Sequence, residues 1–225
     1  VITRFRIRII FQNKSSYITL FIGIVFANII LLFGMMLPPL LKHYQDSIID
    51  NMIARYQYVL KKPVEVKAKD AEKYAMTVLQ MNKESISEQV SIYGIEENSR
   101  YIKDTPIDGY YISSSMSEKY KIERGETIVL KEKYNDKQYQ FKVKGIINYP
   151  GSLAVFMNKN EFCKVFNQEQ NYYTGYFSDT KLNIVEKNIA SVITEEDLTK
   201  TSRQLNVSMG NMFYLVEGFA IVLFL

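Results

Sequence analysis

The run SSYITLFIGIVFANIILLFGMMLPPLL, Ser15 to Leu41, carries no charged side chain over 27 residues. As an α-helix rising about 1.5 Å per residue, it outreaches the roughly 30 Å hydrocarbon core of a bilayer. A second apolar run, Met212 to Leu225, is interrupted only by Glu217. That run is shorter than the about 20 residues a crossing needs, so we expect a truncated second span in a piece of a longer protein. The resulting division is 1–14, a cytoplasmic basic segment; 15–41, a transmembrane helix; 42–211, an extracytoplasmic α+β domain with stalk helices; and 212–225, the start of the second transmembrane helix. A cleaved leader does not fit the first run. Its apolar core would be roughly 7–15 residues before a small-residue site, whereas here the run leads into Pro38-Pro39-Leu40-Leu41-Lys42.

Charge sets the orientation. Arg4, Arg6, Arg8 and Lys14 precede the span with no acidic neighbour, which leaves 24 of the 28 basic residues to balance 24 acidic ones. The positive-inside rule then puts the N-terminus in the cytoplasm and residues 42–211 outside. Arg4, Arg6 and Arg8 alternate with Phe5, Ile7 and Ile9, a period that makes no helical stripe. We read these arginines and Lys14 as contacts to membrane-lipid headgroups, with the side chains snorkelling to the interface. A neutral outer domain offers no basic face for nucleic acid.

The single cysteine, Cys163, excludes an intramolecular disulfide, and it lies in the helix-spaced stretch Glu161 to Phe166 as a small core residue. The single histidine, His43, is placed just beyond the first span. Ile49, Met52, Ile53, Tyr56 and Leu60 repeat at helical spacing, which predicts that the span continues outward as a stalk. Leu198, Leu205, Met209 and Met212 predict an exit helix, capped by Thr194 with the acidic first turn Glu195-Glu196-Asp197. The two stripes can pack together, or each on the domain.

Between them the spacing predicts strands at Pro63–Lys67, Val90–Ile95, Gly109–Ser113, Leu153–Met157, Tyr172–Phe177 and Ile189–Ile193, and helices at Asp70–Met81, Met116–Tyr120 and Asn160–Phe166. Ser114-Ser115 is the expected cap of the second helix. The clearest element is a hairpin, Thr127 to Tyr134 and Gln138 to Ile146, turning at Asn135-Asp136-Lys137. The class is mixed α+β.

Chemistry is scarce. The ten glycines never approach closer than Gly145 and Gly151, which excludes both G-x-G-x-x-G and Walker A loops. One histidine rules out H-E-x-x-H, and no G-x-S-x-G occurs. Glu96-Glu97 and Glu195-Glu196-Asp197 read as solvated or capping turns. Fifteen tyrosines fall between residues 42 and 211; half-buried strands account for them, with a sugar-stacking surface as the alternative. We identify no catalytic, cofactor or metal residue. Asn28, amid apolar neighbours, calls for a partner in another helix and is read as an intramembrane helix contact.

Three passages carry a family resemblance. They are the basic start with its long span, Asn13 to Ile24; the passage Tyr111-Ile112-Ser113-Ser114-Ser115-Met116-Ser117-Glu118-Lys119-Tyr120 with Ile122-Glu123-Arg124-Gly125-Glu126-Thr127-Ile128-Val129-Leu130; and the strand Phe141-Lys142-Val143-Lys144-Gly145-Ile146. In this order they resemble the FtsX-like, MacB-type permease subunits of ABC transporters, with Glu126 where the family usually has aspartate. The resemblance implies a MacB-like periplasmic core between two transmembrane helices in a bacterial cell membrane. It also implies a cytoplasmic ABC ATPase subunit as partner, a second permease copy or half, and no cofactor or reaction of the chain's own. ATP-driven movement would pass through the spans and stalk to the outer domain, for export or mechanotransmission. Two readings of other classes stand beside it: a two-span receptor with an extracytoplasmic ligand-sensing domain, and a membrane-anchored adaptor.

Overall fold

The computed structural model describes residues 13–83, 86–102, 109–135 and 137–224. The chain divides into two compact units, Val1–Gln45 with Lys200–Leu225, and Asp46–Thr199.

Helix α1, Lys14–Asp50, takes in the whole uncharged run and ten residues more. Its most apolar 18-residue window has a mean hydropathy of 2.6 and none of it is buried within the protein. Among the described residues it is the one helix long and apolar enough to cross a membrane. Pro38 and Pro39 lie inside it and lack the N–H groups that would bond the carbonyls of Gly34 and Met35. Helix α4, Glu195–Phe224, starts directly after the last strand. Its cap is as the sequence predicts. The Thr194 N–H and hydroxyl donate to Asp197 Oδ2 at 3.0 and 2.8 Å, the reaching-back half of a capping box.

Among the described residues the second unit carries nine strands: β1 Tyr56–Leu60, β2 Glu72–Lys83, β3 Ile86–Ile95, β4 Tyr110–Ser113, β5 Thr127–Lys131, β6 Gln138–Ile147, β7 Ala154–Asn158, β8 Gly175–Ser178 and β9 Ile189–Thr194. Two short helices interrupt them, α2 Ser114–Tyr120 and α3 Lys159–Val165. The strand order is β3-β7-β4-β6-β5-β2-β8-β1-β9, and β2 also pairs with β3. Six strands therefore form a closed ring, and β2, β8, β1 and β9 form a second sheet. Closure rests on Gln80 of β2 opposite Lys131 of β5. Every strand of the ring contributes to one interior cluster, with Leu79, Ile92, Ile112, Leu130, Phe141 and Val155 almost wholly buried in it. The other faces of β3 and β7 turn Tyr93 and Phe156 toward Tyr74 and Phe177, a stacked aromatic layer whose rings lie 4.2 to 6.4 Å apart.

Several expectations are corrected. Asp70–Met81 is no helix; it is largely β2. Tyr74 and its neighbour Ala75 are both fully buried, one in the aromatic layer and one in the ring. A strand buried on both faces loses its alternation and imitates helical spacing. The entry stalk ends at Asp50, because Tyr56–Leu60 is a central strand with ladders to β8 and β9. Pro63–Lys67 joins no ladder among the described residues; its Val66 packs against the cluster that holds Tyr58, Leu60 and Tyr176. The cap of α2 is Ser113, which accepts from Met116 N. The hairpin is present, with Thr127 opposite Lys142 and Lys131 opposite Gln138, but its first arm ends at Lys131 rather than Tyr134, and Asp136 of its turn lies outside the described residues. Gly125 opens it at φ +92°, a backbone conformation that suits glycine.

Gly175 sits where β8 passes closest to its neighbours. A Cβ there would lie 2.0 Å from the Tyr58 carbonyl oxygen and 2.6 Å from the Tyr74 ring. Gly175→Val is expected to cost about 3 kcal/mol or more, a fall of about 6–12 °C in the unfolding midpoint. Gly151→Ala, whose Cβ would meet Tyr149 at an ordinary 3.7 Å, should move it little. Thermal unfolding followed by circular dichroism compares the two.

Candidate functional site

The chain enters the sheet unit through β1 and leaves it through β9. These two strands are antiparallel neighbours, with Tyr56 opposite Thr194. Antiparallel pairing puts the start of one beside the end of the other. The connection from α1 and the beginning of α4 are therefore attached at one end of one ladder.

The α1 attachment is built from hydrogen bonds on an apolar footing. Ile48 is buried, and Ala54 joins Tyr149, Phe156 and Phe177 in the aromatic layer. Asn51 Nδ2 donates to the Ser47 carbonyl at 2.8 Å, which satisfies one of the acceptors left open in the last helical turn. Asn51 Oδ1 accepts from Asn148 Nδ2 at 2.7 Å. Asn148 Oδ1 in turn takes the Ser114 hydroxyl at 3.5 Å, and that hydroxyl accepts the Tyr149 N–H at 3.1 Å. Ser115 Oγ donates to the Ser152 carbonyl at 2.6 Å. Ser113 Oγ accepts both Met116 N and Ala154 N, at 3.3 and 3.0 Å. The end of α1 is thus tied through Asn51 and Asn148 to the turn between β6 and β7 and to the start of α2. Each neutral bond contributes about 1 kcal/mol, an amount that lets a contact break and re-form.

The serine run 113–115 lies at this junction, although sequence reasoning assigned Ser114 and Ser115 to capping alone. Asn51 and Asn148 were not singled out at all. The one signal for Asn51 was its position where the apolar spacing of α1 runs into β1.

Elsewhere the polar groups brace the fold. Asp70 Oδ2 accepts from Ser178 Oγ, Asp179 N, Thr180 N and Thr180 Oγ1, all within 3.2 Å. Chiefly the Thr180 hydroxyl, then that of Ser178, holds this carboxyl down at about 2 against the opposing pull of desolvation. The Asp70 carbonyl accepts the Tyr101 hydroxyl at 2.6 Å. Cys163 is unpaired and buried in α3, and burial pushes its thiol up, away from nucleophile chemistry. Tyr173 is buried against Tyr176, and its ring offers no open platform. Glu195, Glu196 and Asp197 form the first turn of α4. No group of three His, Cys, Asp or Glu among the described residues could hold a metal ion.

Asn28 lies in mid-α1, where its Nδ2 donates to the Ile24 carbonyl at 2.8 Å in its own helix. Lys14 is the first residue of α1. Arg4, Arg6 and Arg8 lie outside the described residues.

No protein-family model matches the chain, and no curated protein does. Among solved structures, the extracellular domain of the noncanonic ABC-type transporter YknZ from Gram-positive bacteria is similar at a TM-score of 0.36 and 16% identity. The match covers 63% of this chain and 76% of that one.

The Asp70 latch has a pH signature. Its folded-state value lies below the ordinary 3.8, so its contribution is complete above about pH 4 and fades as pH falls toward 2. Asp70→Asn is expected to unfold at a lower temperature than the parent at pH 7. The gap should shrink below pH 4 and close near pH 2, as read from melting curves of both proteins in the same detergent.

Proposed function

We propose that this chain is the membrane subunit of an ABC transporter, an FtsX-like, MacB-type permease. In this reading a separate cytoplasmic ATPase supplies the energy and the sheet unit lies outside the membrane. Movement of the spans reaches the sheet unit through the junction of Asn51 and Asn148. The chain itself catalyses no reaction.

The observation that carries the reading is the pairing of Tyr56 with Thr194. A long apolar helix delivers the chain to the first strand, and the last strand, its direct neighbour, hands it to the next helix. An arrangement of this kind converts relative movement of two helices into movement at one end of one ladder. The three sequence passages give the family its name here. The basic residues before α1 support a cytoplasmic N-terminus, with Arg4, Arg6, Arg8 and Lys14 at lipid headgroups. A second span begins in α4, at residues 212–225. Asn28 faces a helix bundle, where its carbonyl oxygen offers an acceptor to a neighbouring span. A second permease copy or half completes that bundle.

Affinity purification of the full-length protein from its native membrane tests the reading. A stoichiometric ABC ATPase in the eluate is expected; a kinase domain on the same polypeptide and no ATPase would move the chain to the receptor class. The junction has its own test in the reconstituted complex. Asn148→Ala should lower the coupled ATPase rate at least about fivefold, the low end of coupling energies between sites. Its cost in stability should stay near 1 kcal/mol. An unchanged rate would remove Asn148 from the path.

A further inference from the structure

A cleft of about 640 Å³ opens where the six-stranded ring meets the second sheet. Its walls come from both. Glu96, directly after β3, and Lys159, the first residue of α3, stand on the ring side; Glu65, Asn171 and Tyr173 belong to the segments that lead into β2 and β8. Lys73, on the strand common to both, lies between them.

Two ion pairs occupy this cleft. Lys159 Nζ meets Glu96 Oε1 at 2.5 Å, with the lysine side chain only 10% exposed and the glutamate 43%. Lys73 Nζ meets Glu65 Oε1 at 2.6 Å and lies 4.6 Å from the centre of the Tyr173 ring. An ammonium carries three N–H donors and a carboxylate about four acceptor positions. Each pair uses one donor and one acceptor, and all four side chains line the cleft with bonding positions left over. Drawing a lysine this far from water is costly, and a single glutamate contact offsets that in part. The charges cancel, two positive against two negative. A simple anion reaching either lysine would meet a glutamate beside it, and a simple cation would meet a lysine. The ligand matched to such a surface carries both signs.

We propose that this cleft binds a small zwitterion bearing a carboxylate and an ammonium group, of amino-acid or short-peptide size. The carboxylate is received by the spare N–H donors of Lys159 and Lys73, and the ammonium by the free oxygens of Glu96 and Glu65. Asn171 adds a neutral amide that can bond either end. Because the walls belong to the ring and to the second sheet, a bound zwitterion bridges them. The site is a property of the folded sheet unit and does not depend on an ATPase partner.

The test is isothermal titration of the full chain in lipid nanodiscs, with no ATPase present. The probes are alanine, trialanine, N-acetyl-trialanine, trialanine amide and inorganic phosphate. Saturable binding of alanine, of trialanine or of both is expected, with the relative affinities telling a free amino acid from a peptide. Each blocked peptide should bind at least about tenfold more weakly than trialanine where trialanine binds. Lys73→Gln, at a side chain 33% exposed, should weaken binding at least about tenfold, with a melting curve to show that it is folded. The double variant Lys159→Met, Glu96→Gln removes the pair without stranding either charge and should abolish binding, with a melting curve to show that it is folded. Absence of binding by alanine and trialanine at millimolar concentration would overturn the proposal. So would equal binding of the blocked peptides, unchanged affinity in Lys73→Gln, or phosphate as the sole ligand.

Discussion

Strand β2 is the element on which the rest of the sheet unit depends. Its first residues, Glu72 to Tyr74, are bonded to β8, and Ala75 to Lys83 run against β3. Gln80 closes the ring on β5. Among the described residues no other strand belongs to both sheets, so the ring interior and the aromatic layer take their relative register from this backbone. The change of partner falls between Tyr74 and Ala75, and both are fully buried because each faces a different cluster. The Tyr74 hydroxyl donates to the Tyr58 carbonyl at 3.0 Å and accepts from Gln57 Nε2 at 3.4 Å. The change of partner is thereby held from the β1 side as well. Burial of the Tyr74 and Tyr93 phenols raises both well above their usual value. They stay neutral throughout the physiological range, and the layer carries no charge that would need a counter-ion.

What the sequence shows of this depends on how many faces a segment buries. The hairpin of β5 and β6 has one face in the ring and one in water, so Gln138 to Ile146 alternates cleanly and is legible as a strand. The capping box at Thr194 is equally local, and the acidic first turn declared it. Helix α1 was legible from charge alone. By contrast β2 and β1 are enclosed by neighbours from distant parts of the chain, and their apolar spacing was mistaken for a helix and a stalk. The ring closure at Gln80 and Lys131 joins residues about fifty apart and leaves no mark in either segment. The junction was hidden for a related reason. Asn51 and Asn148 are ordinary loop amides until the fold brings them to 2.7 Å, and composition does not distinguish them from the other asparagines.

The two ends of the sheet unit differ in how firmly they are made. The ring and the aromatic layer are apolar, close-packed and without spare volume, as the contacts around Gly175 and Gly94 show. The attachment of α1 is mostly neutral amide and hydroxyl, and its outer bonds, Asn51 to Asn148 and Asn148 to Ser114, are exposed to water that can replace either partner. Closely packed interiors transmit displacement with little loss, whereas exchangeable polar contacts accommodate it. A movement entering at Asn51 would therefore be taken up first in the turn between β6 and β7 and passed on by the ring as a body.

The pairing of β1 with β9 also decides how the unit would respond to tension. Helices pulling apart at Tyr56 and Thr194 load the ladder from its open end, so its hydrogen bonds are strained one after another, as in opening a zipper. A pull along the strands would load them all at once and meet far greater resistance. The unit is thus mechanically soft toward separation of its two attachments and stiff toward a common pull. A fuse of this kind would yield at β9, the edge strand, and leave the ring intact to re-form the ladder when the load is released.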